Sequence, residues 1–501
     1  MKQRNCANWL ISDCINMLQK VEEPQKTKPV GPLCVDLDGT LINSDTLYEL
    51  IFALIKRNPL WIFFLPVWLM RGKSQLKEEI ANRVELDVST LPYNGEFIEY
   101  LKSEKARGRK LILVTATHET TANAVSAHLG LFDEVMASNK NINLRGKAKA
   151  AALVERYGEG GFDYAGNDAS DIKIWRKAKN AIVVSPDAKA LKWRDSQQGD
   201  ALLFDQPKPS IKTYLKAIRI HQWLKNSLIF VPLVLDHRIF ELDVIANAYL
   251  AFIAFGLCAS SVYLLNDLID LPIDRKHAKK RNRPLAAGTI PIKHGVIMMV
   301  SLLALSFALS LTLPIDFTLT LLLYYAVTLS YSLYLKRTLL VDIMTLAGLY
   351  TIRIIAGGEA TGTDISSWLL AFSVFFFFSL ALVKRFVELS DMDENATRAT
   401  TGRGYRKIDI ETIGQSGIAS AFASVLVLAL YIDSAEVKAL YTYPRMIWLL
   451  CPLVLYIIVR IWILARRGEM DDDPVVFIMS DWRSQIMVAA GVALMVFATL
   501  Y

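Results

Sequence analysis

The sequence predicts two domains of different classes, an N-terminal α/β domain with a parallel sheet and a C-terminal all-α domain of about nine transmembrane helices. Up to about residue 205, short strand-like runs alternate with helical patterns, which is typical of a parallel sheet. From residue 209 onward, long apolar segments dominate. Hydrophobic residues make up 53% of the 501 residues while charged residues still reach 21%, so both a membrane part and a soluble part are expected.

The N-terminal domain is expected over residues 30–205, with strands at 33–35, 111–114 and 181–184 and helices between them. Residues 1–29 form an N-terminal extension that mixes polar, charged and short apolar runs. They lack the pattern of a secretory signal peptide.

An apolar segment at 59–70 lies between Arg57 and Arg71 and contains two tryptophans. It is too short to cross a bilayer. It is either a buried helix of the soluble domain or an interfacial segment with its tryptophans at the depth of the lipid headgroups, and the second interpretation is favoured.

The C-terminal domain, residues 209–501, contains apolar segments whose lengths suit membrane spans, although the first is short. Positive charge is distributed unevenly between the connecting loops. The 275–293 loop carries seven Lys and Arg residues and the 384–407 loop carries six, whereas the loops around Pro314 and from Gly357 to Asp364 carry none. This asymmetry predicts a multi-pass protein of the inner (cytoplasmic) membrane with its N-terminal domain in the cytoplasm. The nine expected spans are 225–236, 243–265, 294–313, 317–335, 338–356, 367–384, 413–433, 446–465 and 485–501.

Charge and cysteine content exclude other classes. A formal net charge of +7 is modest for this length, and the charged loops account for it, so no nucleic-acid partner is expected. The five cysteines are scattered and form neither a CxxC pair nor a metal-ligand spacing, which indicates isolated thiols and no disulfide framework. They are Cys6, Cys14, Cys34, Cys258 and Cys451.

Three carboxylates at the end of an apolar segment carry the strongest chemical signal. Asp267, Asp270 and Asp274 step by three and then four residues, so on one helix they would share a face and repel one another. Mg²⁺ resolves such repulsion and joins carboxylates to substrate phosphates. The basic run 275–284 follows at once and could hold further phosphate oxygens. We infer a Mg²⁺-diphosphate site at the membrane surface; the alternative is a charged loop that only fixes topology.

A second acidic motif, Asp36-Leu37-Asp38-Gly39-Thr40, follows the first expected strand. It presents two carboxylates at the edge where open α/β sheets bind ligands. One carboxylate can attack phosphorus while the other transfers a proton. This DxDGT motif resembles the first motif of the haloacid dehalogenase-like phosphatases. The resemblance covers about residues 30–200 and implies a Rossmann-like fold with a helical cap inserted at about 45–100.

The resemblance also implies roles for individual residues. Asp36 would be the nucleophile and Asp38 the general acid/base. Thr115 matches the hydroxyl residue after the second strand, and Lys149 matches the phosphate-stabilising lysine, with Lys147 as the alternative.

Mg²⁺ in this domain would be held by Asp36, Asp38, Asn167 and Asp171. Asn167 stands where the phosphatase family usually has Asp, so the site carries one negative charge less. A degenerate regulatory domain is therefore the alternative to an active phosphatase.

The membrane domain resembles the UbiA superfamily of intramembrane prenyltransferases, whose NDxxDxxxD signature is present from Asn266 to Asp274. This resemblance implies nine transmembrane helices around a central cavity. Further stretches are similar to the polyprenyl-phosphate phosphoribosyltransferases of that superfamily. They are RxxQWxKN at 219–226, DRxHPxKRxRP at 274–284 with Ala278 in place of Pro, and YSxxLK at 331–336 followed by Asp342.

The same resemblance implies the membrane site. Mg²⁺ would be held by Asp267, Asp270 and Asp274, and basic and amide groups would bind the two substrates. The implied substrate-binding residues are Arg219, Lys225, Asn226, Asn266, Lys280, Arg281, Arg283, Lys384 and Arg385.

The reaction implied is transfer of phosphoribose from phosphoribosyl diphosphate to a polyprenyl phosphate, after which the fused phosphatase would dephosphorylate the product. A first alternative is an aromatic prenyltransferase of the quinone or haem type, which would use a prenyl diphosphate and an aromatic acceptor. The second DxxxD motif usual in that branch is missing, because Asn395 stands four residues after Asp391. A second alternative is a non-catalytic membrane scaffold with a module that binds phosphorylated ligands.

Overall fold

The computed structural model describes residues 31–140, 142–197, 201–238, 240–391, 404–470 and 473–500. The extension 1–29 and residues 392–403, which include most of the stretch compared with the second DxxxD motif, lie outside the described residues. Contacts divide the chain into two compact units. The first comprises residues up to Ile51 together with Ile62–Pro207, and the second comprises Phe52–Trp61 together with Lys208–Tyr501.

A six-stranded, all-parallel sheet forms the centre of the first unit, in the order β3-β2-β1-β4-β5-β6. The prediction of a parallel α/β domain is confirmed. The first and fifth strands have the predicted bounds, the second is longer than predicted, and the other three were missed. The strands are β1 Leu33–Val35, β2 Leu111–His118, β3 Glu134–Ser138, β4 Asp163–Gly166, β5 Ala181–Val184 and β6 Leu202–Phe204.

Helices cover both faces of this sheet. Alternate strand residues point to opposite sides, so apolar strands need a packed layer on each face. Leu33 and Val35 of β1 belong to one buried cluster, whereas Cys34 belongs to another. The segment expected as a cap is helical, although its role as a cap stays a prediction. The helices are α1 Thr46–Arg57, α2 Leu65–Met70, α3 Lys73–Ala81, α4 Gly95–Ala106, α5 Glu119–Leu129, α6 Lys147–Tyr157, α7 Ile172–Trp175 and α8 Ala188–Ser196.

The apolar segment 59–70 leaves much of its hydrophobic surface uncovered. It forms a 3₁₀ helix, Pro59–Phe63, followed by α2, in which only Trp68 is buried. Phe63 is 73% exposed and Met70 is 89% exposed. Exposed apolar patches of this kind mark sites of interaction, so the interfacial interpretation stays a prediction that this exposure favours.

The second unit is helical. Among the described residues, seven helices are long and apolar enough to cross a membrane. Its elements are α9 Ile211–Ala217, the 3₁₀ helix Ile220–Phe230, α10 Val231–Leu235, α11 Leu242–Ile269, α12 Leu271–Lys276, α13 Ile292–Ser310, α14 Ile315–Leu333, α15 Val341–Thr361, α16 Ser367–Ser390, α17 Ile410–Asp433, α18 Ala435–Leu440, α19 Pro444–Ile447, α20 Leu450–Arg466, α21 Pro474–Ser480 and α22 Trp482–Leu500.

Among the described residues, two of the nine expected spans do not coincide with a helix that is long and apolar enough to cross a membrane. The span expected at 225–236 consists of the 3₁₀ helix followed by the five-residue α10. The span expected at 317–335 overlaps α14, whose many Thr, Ser and Tyr residues lower its hydropathy. The other seven spans overlap the seven membrane-length helices, so the all-α prediction is confirmed while the count of nine is not.

Close backbone contact fixes the 3₁₀ helix against α15. A Cβ atom on Gly357 would lie 2.1 Å from the carbonyl oxygen of Ile229, so a larger residue has no room there. Small residues allow helices to approach in this way within membranes. The contact holds the Arg219–Asn226 stretch, which was predicted to bind substrate, beside the buried face of α15.

Candidate active sites

Asp36 and Lys149 meet at the carboxyl edge of the sheet, as the sequence predicts. Asp36 directly follows β1, and its backbone N–H donates to the carbonyl of Ala165 at the end of β4 (3.0 Å). Lys149, on α6, is buried and places its Nζ 2.9 Å from Asp36 Oδ2. The lysine also donates to the hydroxyl of Tyr164 (3.0 Å), so its position is fixed.

Asp38 is held by hydroxyl residues that the sequence analysis missed. Its Oδ1 accepts from the backbone N–H of Thr46 (2.8 Å), and its Oδ2 accepts from the Thr117 hydroxyl (2.7 Å). Thr115, which was predicted to provide the hydroxyl, is buried and accepts from the Thr117 backbone N–H (3.0 Å). Asp38 therefore binds the hydroxyl of Thr117 and, at 3.2 Å, that of Thr46. The Thr115 hydroxyl instead accepts from the backbone at the same strand end.

The loop of the DxDGT motif contacts the loop of the predicted metal residues. Gly39 has φ +73°, and a Cβ atom there would lie 2.1 Å from Asn167 Nδ2, so only glycine fits. Asp171 is buried, and its Oδ2 accepts from the backbone N–H groups of Asn167 (2.9 Å) and Asp168 (3.2 Å). Its Oδ1 accepts from the Tyr164 hydroxyl (3.0 Å).

Carboxylates crowd this edge of the sheet. Burial raises the pKa of Asp38 to about 6, and repulsion from Asp45 adds to the effect. Burial, with repulsion from Asp36, also raises the pKa of Asp171 to about 6. Burial raises the pKa of Asp36 as well, although Lys149 opposes that shift. Acids outnumber lysines at this edge, which leaves negative charge that a bound cation would offset.

Asp45 and Lys77 also belong to this site. Asp45 accepts from the backbone N–H groups of Leu47 (2.9 Å) and Tyr48 (3.4 Å) at the start of α1. Lys77, on α3, donates to the carbonyl of Ala116. Burial lowers the pKa of Lys77, although Asp38 and Asp45 oppose the shift. Asp45 was recognisable as a helix N-cap, whereas no local pattern distinguished Lys77 from a surface lysine.

In the second unit, Asp267 and Asp274 converge on one cationic group. Arg283 Nη1 lies 3.0 Å from Asp267 Oδ1 and 2.5 Å from Asp274 Oδ2. Both carboxylates are buried. Arg219 also donates to Asp267. The two acids thus bind one guanidinium nitrogen together, and Asp267 also binds a second arginine.

Asp270 faces elsewhere, so the expectation that three acids share one helical face is wrong. The helix α11 ends at Ile269, and α12 begins after Asp270 with a proline in its first turn, which interrupts the hydrogen-bond ladder. Asp270 pairs with Lys336 (3.1 Å) and with Lys56 (2.8 Å), which belongs to the 52–61 segment of the same unit.

The basic and amide residues predicted next to the NDxxDxxxD signature are more exposed to solvent than Asp267 and Asp274. Lys280 and Arg281 are exposed, and Arg283 is half-buried. Asn266 is half-buried, and its carbonyl accepts from the backbone N–H of Asp270 (2.9 Å), so it fixes the helix end. The exposed pair has side chains available for phosphate oxygens.

Lys225 and Lys384 are brought together by a residue that the sequence analysis missed. Lys225 is buried and donates to Asp473, while Lys384 Nζ lies 3.9 Å from the same carboxylate. Tyr350 donates to Asp473 as well (3.4 Å). An acid outside any recognised motif therefore holds the two predicted phosphate-binding lysines.

Arg385 forms ion pairs with two neighbouring acids. It is buried and pairs with Asp342, which also accepts from the Tyr405 hydroxyl (2.5 Å), and with Glu388. This arrangement ties α15 to α16. The prediction that Arg385 binds substrate gains no support from these contacts, whereas Lys384 remains directed toward the cluster with Lys225.

Among the described residues, no group of three or more His, Cys, Asp or Glu side chains is arranged to hold a metal ion by itself. The donor sets nevertheless fit Mg²⁺, which binds proteins through one or two carboxylates and completes its shell with substrate phosphates and water. In the second unit the fit rests on the convergence of Asp267 and Asp274. In the first unit it rests on the half-buried Asp36 and the buried Asp171 beside Asn167.

Comparison with known proteins finds one family match in each of the two domains. Residues 33–176 match the haloacid dehalogenase-like hydrolase family, and residues 237–482 match the UbiA prenyltransferase family. The uncharacterized protein y4nM of Sinorhizobium fredii is 37% identical over 454 residues, which cover 90% of this chain and 87% of that protein.

Two further relatives match a smaller part of the chain. The nodulation protein NoeC of Azorhizobium caulinodans is 33% identical over 285 residues, which cover 56% of this chain and 91% of that protein. The decaprenyl-phosphate phosphoribosyltransferase of Mycolicibacterium smegmatis is 36% identical over 187 residues, which cover 36% of this chain and 59% of that enzyme.

A hydrolase domain with a parallel sheet is thus joined to a helical intramembrane transferase domain. The chain belongs to the UbiA prenyltransferase family, resembles decaprenyl-phosphate phosphoribosyltransferases, and carries a haloacid dehalogenase-like hydrolase domain at its N-terminal side. It is an enzyme and a multi-pass membrane protein. The predicted family membership is confirmed, and the non-catalytic scaffold is set aside.

Proposed function

We propose that this enzyme is a Mg²⁺-dependent transferase that moves phosphoribose from phosphoribosyl diphosphate to a polyprenyl phosphate. We further propose that its hydrolase domain then removes the 5-phosphate from the lipid product. The likeness to decaprenyl-phosphate phosphoribosyltransferases supports the first step. The presence of both domains on one chain supports the second, since a tether raises the effective concentration of product at the second site.

The observation that carries the transferase half is the convergence of Asp267 and Asp274 on Arg283 (3.0 and 2.5 Å). The two carboxylates would hold Mg²⁺ together with the diphosphate oxygens. Bound there, the metal would neutralise charge that develops on the departing diphosphate. Arg283 would then turn its guanidinium from the carboxylates to phosphate oxygens, a geometry that arginine suits well.

The remaining cations would bind and orient the two phosphorylated substrates. Lys280 and Arg281 are exposed beside the signature and would hold the sugar donor, whereas Lys225 and Lys384 would position the lipid phosphate. An oxygen of that phosphate would attack C1 of the ribose while the bond from C1 to the diphosphate oxygen breaks. A lipid phosphate is already an anionic nucleophile, so this displacement needs no general base.

In the hydrolase half, Asp36 would attack the phosphorus of the 5-phosphate while the bond from phosphorus to the ribose 5-oxygen breaks, and Asp38 would give a proton to that oxygen. Water would then attack the phosphorus and release the phosphate from Asp36, with Asp38 taking the proton of the water. A pKa of about 6 for Asp38 suits an acid/base that works near neutral pH. Lys149 would neutralise charge on the transferring phosphoryl group. Asp36, Asn167 and Asp171 would hold a Mg²⁺ ion that reduces repulsion between carboxylate and phosphate.

The proposed orientation places the hydrolase domain in the cytoplasm and the chain in the inner membrane. The basic loops at 275–293 and 384–407 support it through the positive-inside rule. On this orientation both phosphorylated substrates are met on the cytoplasmic side.

One assay tests the transferase proposal against the aromatic alternative. The purified full chain in detergent is given Mg²⁺ and labelled phosphoribosyl diphosphate with a polyprenyl phosphate, or labelled prenyl diphosphate with an aromatic acid. We expect label in lipid only from the first pair. We expect Asp267→Asn to lower that rate on the order of 100-fold, while Asp316→Asn, at an exposed position on α14, leaves it unchanged. Product from the second pair alone, or from neither pair, would contradict the proposal.

A further inference from the structure

A buried cation lies inside the helical unit, away from the acidic signature. Arg353, on α15, is 5% exposed. Its Nε donates to Asn226 Oδ1 (2.9 Å), its Nη2 donates to the Tyr324 hydroxyl (3.3 Å), and its Nη1 donates to the carbonyl of Leu349. All three partners are neutral. By helix rise, Arg353 is roughly 17 Å along α15 from Asp342.

In the parts of the chain that the structure describes, no carboxylate forms an ion pair with Arg353. Aromatic rings surround the guanidinium instead, with centroids at 5.4 Å for Phe255, 5.1 Å for Tyr324 and 5.5 Å for Tyr350. Ring faces offset only part of the desolvation of a buried charge. Ionisable groups inside membrane segments pair with a partner or mark a substrate path. Among the residues that the structure describes, Arg353 therefore has no acidic side chain as an ion-pair partner.

Asn226 provides a second, independent observation. It is 1% exposed, and its Oδ1 is occupied by Arg353, whereas its Nδ2 donor has no hydrogen-bond partner among the described residues. A buried donor without a partner is destabilising. A cation beside an unfilled N–H donor is a receptor for an oxyanion.

The neighbouring contacts show that an anion is accommodated next to this receptor. The Asp473 carboxylate binds Lys225, which precedes Asn226 in the chain, and it also accepts from Tyr350 (3.4 Å). The same tyrosine ring lies against Arg353. Tyr350 thus contacts Arg353 directly and is linked to Lys225 through Asp473. Within the described ranges, Lys225 has an acidic partner and Arg353 forms no ion pair.

We propose that Arg353 and Asn226 form a phosphate-binding subsite inside the helical unit, which receives a phosphate monoester of one substrate. The subsite deepens the proposed function and rests on it for the identity of that substrate. Both the polyprenyl phosphate and the 5-phosphate of phosphoribosyl diphosphate have the required chemistry. The guanidinium supplies the charge, and Asn226 Nδ2 supplies a directed hydrogen bond.

Asn226→Asp separates a binding role from a structural one. The substituted side chain keeps an oxygen that accepts from Arg353, but it replaces the unfilled donor with a carboxylate and thus gives Arg353 an internal counter-ion. We expect the thermal midpoint of the purified chain to be kept or raised. We expect binding of one phosphate probe to weaken at least tenfold, because an anion already occupies the electrostatic place of the ligand.

The probes are farnesyl phosphate, phosphoribosyl diphosphate and inorganic phosphate, each titrated separately against the full chain in detergent. Asn247→Asp, which makes the same change at a half-buried position on α11, is the matched control and should bind all three like the wild type. Selective loss of farnesyl phosphate would assign the subsite to the lipid, and selective loss of phosphoribosyl diphosphate would assign it to the sugar donor. If Asn226→Asp does not fold, Arg353→Lys should retain binding while Arg353→Met loses it.

Unchanged affinities for every probe in a folded Asn226→Asp or Arg353→Met variant would overturn the subsite. The wild-type product assay separates this failure from failure of the proposed function. Labelled lipid from the wild type, with an unchanged KM for both substrates in the variants, would leave the function standing and reject the subsite. Loss of inorganic phosphate binding in Asn226→Asp, with no labelled lipid from the wild type, would support the subsite and reject the function.

Discussion

At the scale of single residues, Asn167 is the proposed ligand that would set how tightly the hydrolase domain holds a metal ion. It stands where the phosphatase family usually has Asp, in contact with Gly39 of the DxDGT loop. An amide oxygen can ligate Mg²⁺, but it brings no charge to offset that of the ion. Asp36 and Asp171 would therefore provide the negative charge of the proposed site.

Asn167→Asp should tighten Mg²⁺ binding because it adds a carboxylate without changing the size of the side chain. We expect the half-saturating Mg²⁺ concentration for phosphatase activity on p-nitrophenyl phosphate to fall about tenfold, which corresponds to about 1.4 kcal/mol. Asn123→Asp, at an exposed position on α5, is the control and should leave it unchanged. A higher metal requirement in Asn167→Asp would show that Asn167 is not a ligand.

Proton competition gives a second prediction at this scale. Asp38 and Asp171 have pKa values raised to about 6, so protons compete with the metal below that pH. The half-saturating Mg²⁺ concentration should be about tenfold higher at pH 5 than at pH 7. A flat profile between these pH values would contradict the raised pKa of these carboxyls.

The raised pKa of Asp171 also makes the stability of the hydrolase domain depend on pH. The folded pKa of Asp171 lies above its ordinary value of 3.8, so the fold favours the protonated acid. Without Mg²⁺, the free energy of unfolding of the hydrolase domain should therefore fall as pH rises from about 4 to about 6. Added Mg²⁺ should restore it above pH 6. Hydrogen exchange of the β1 and β4 amides, corrected for intrinsic rates, would measure both changes.

At the scale of elements, a buried ion pair joins two membrane helices. Asp342 on α15 and Arg385 on α16 are both fully buried, and Tyr405 donates to the same acid (2.5 Å). Removal of one partner would leave an uncompensated charge inside the unit. The pair therefore acts as a structural tie between helices that bear Arg353 and Lys384.

Asp342→Asn should destabilise the helical unit by about 3–5 kcal/mol, as loss of one partner of a buried pair generally does. Thermal denaturation of the full chain in detergent would measure the change. Asp316→Asn on α14 removes an exposed acid and should shift the midpoint little. Equal stability of the two variants would mean that the Asp342 pair does not hold α15 to α16.

Elements with a local signal could be predicted from the sequence. Leu33–Val35 and Ala181–Val184 form uninterrupted apolar runs, and both strands have the predicted bounds. The strand Glu134–Ser138 is half-buried at the sheet edge and carries a weaker pattern. The acidic motifs could be recognised because their residue types and spacing are unusual. The turn at Asp270 could not be predicted, because it depends on where α11 ends.

Residues that act through tertiary contacts could not be predicted. Asp473 follows a charged loop and resembles many surface acids in sequence, yet it holds Lys225 across 248 positions of the chain. Arg353 lies within an apolar helix where a single cation indicates function, but its partner Asn226 is set by packing of the 3₁₀ helix. Thr117 lies two positions beyond Thr115, and only the strand end shows which hydroxyl contacts Asp38.

At the scale of the whole molecule, the hydrolase and transferase domains are covalently joined. On the proposed function, the tether would make the lipid product of the transferase domain available to the hydrolase domain at high effective concentration. Pentose transfer would come first and loss of the 5-phosphate second. Loss of the proposed nucleophile Asp36 should then stop only the second reaction.

The most direct measurement is mass spectrometry of the lipid that forms from phosphoribosyl diphosphate and polyprenyl phosphate, with the wild-type chain and with Asp36→Asn. The account predicts a pentosyl lipid without the 5-phosphate from the wild type and the 5-phosphorylated lipid from Asp36→Asn, at equal rates of label transfer. An identical product from both chains, or no pentosyl lipid from either, would contradict it.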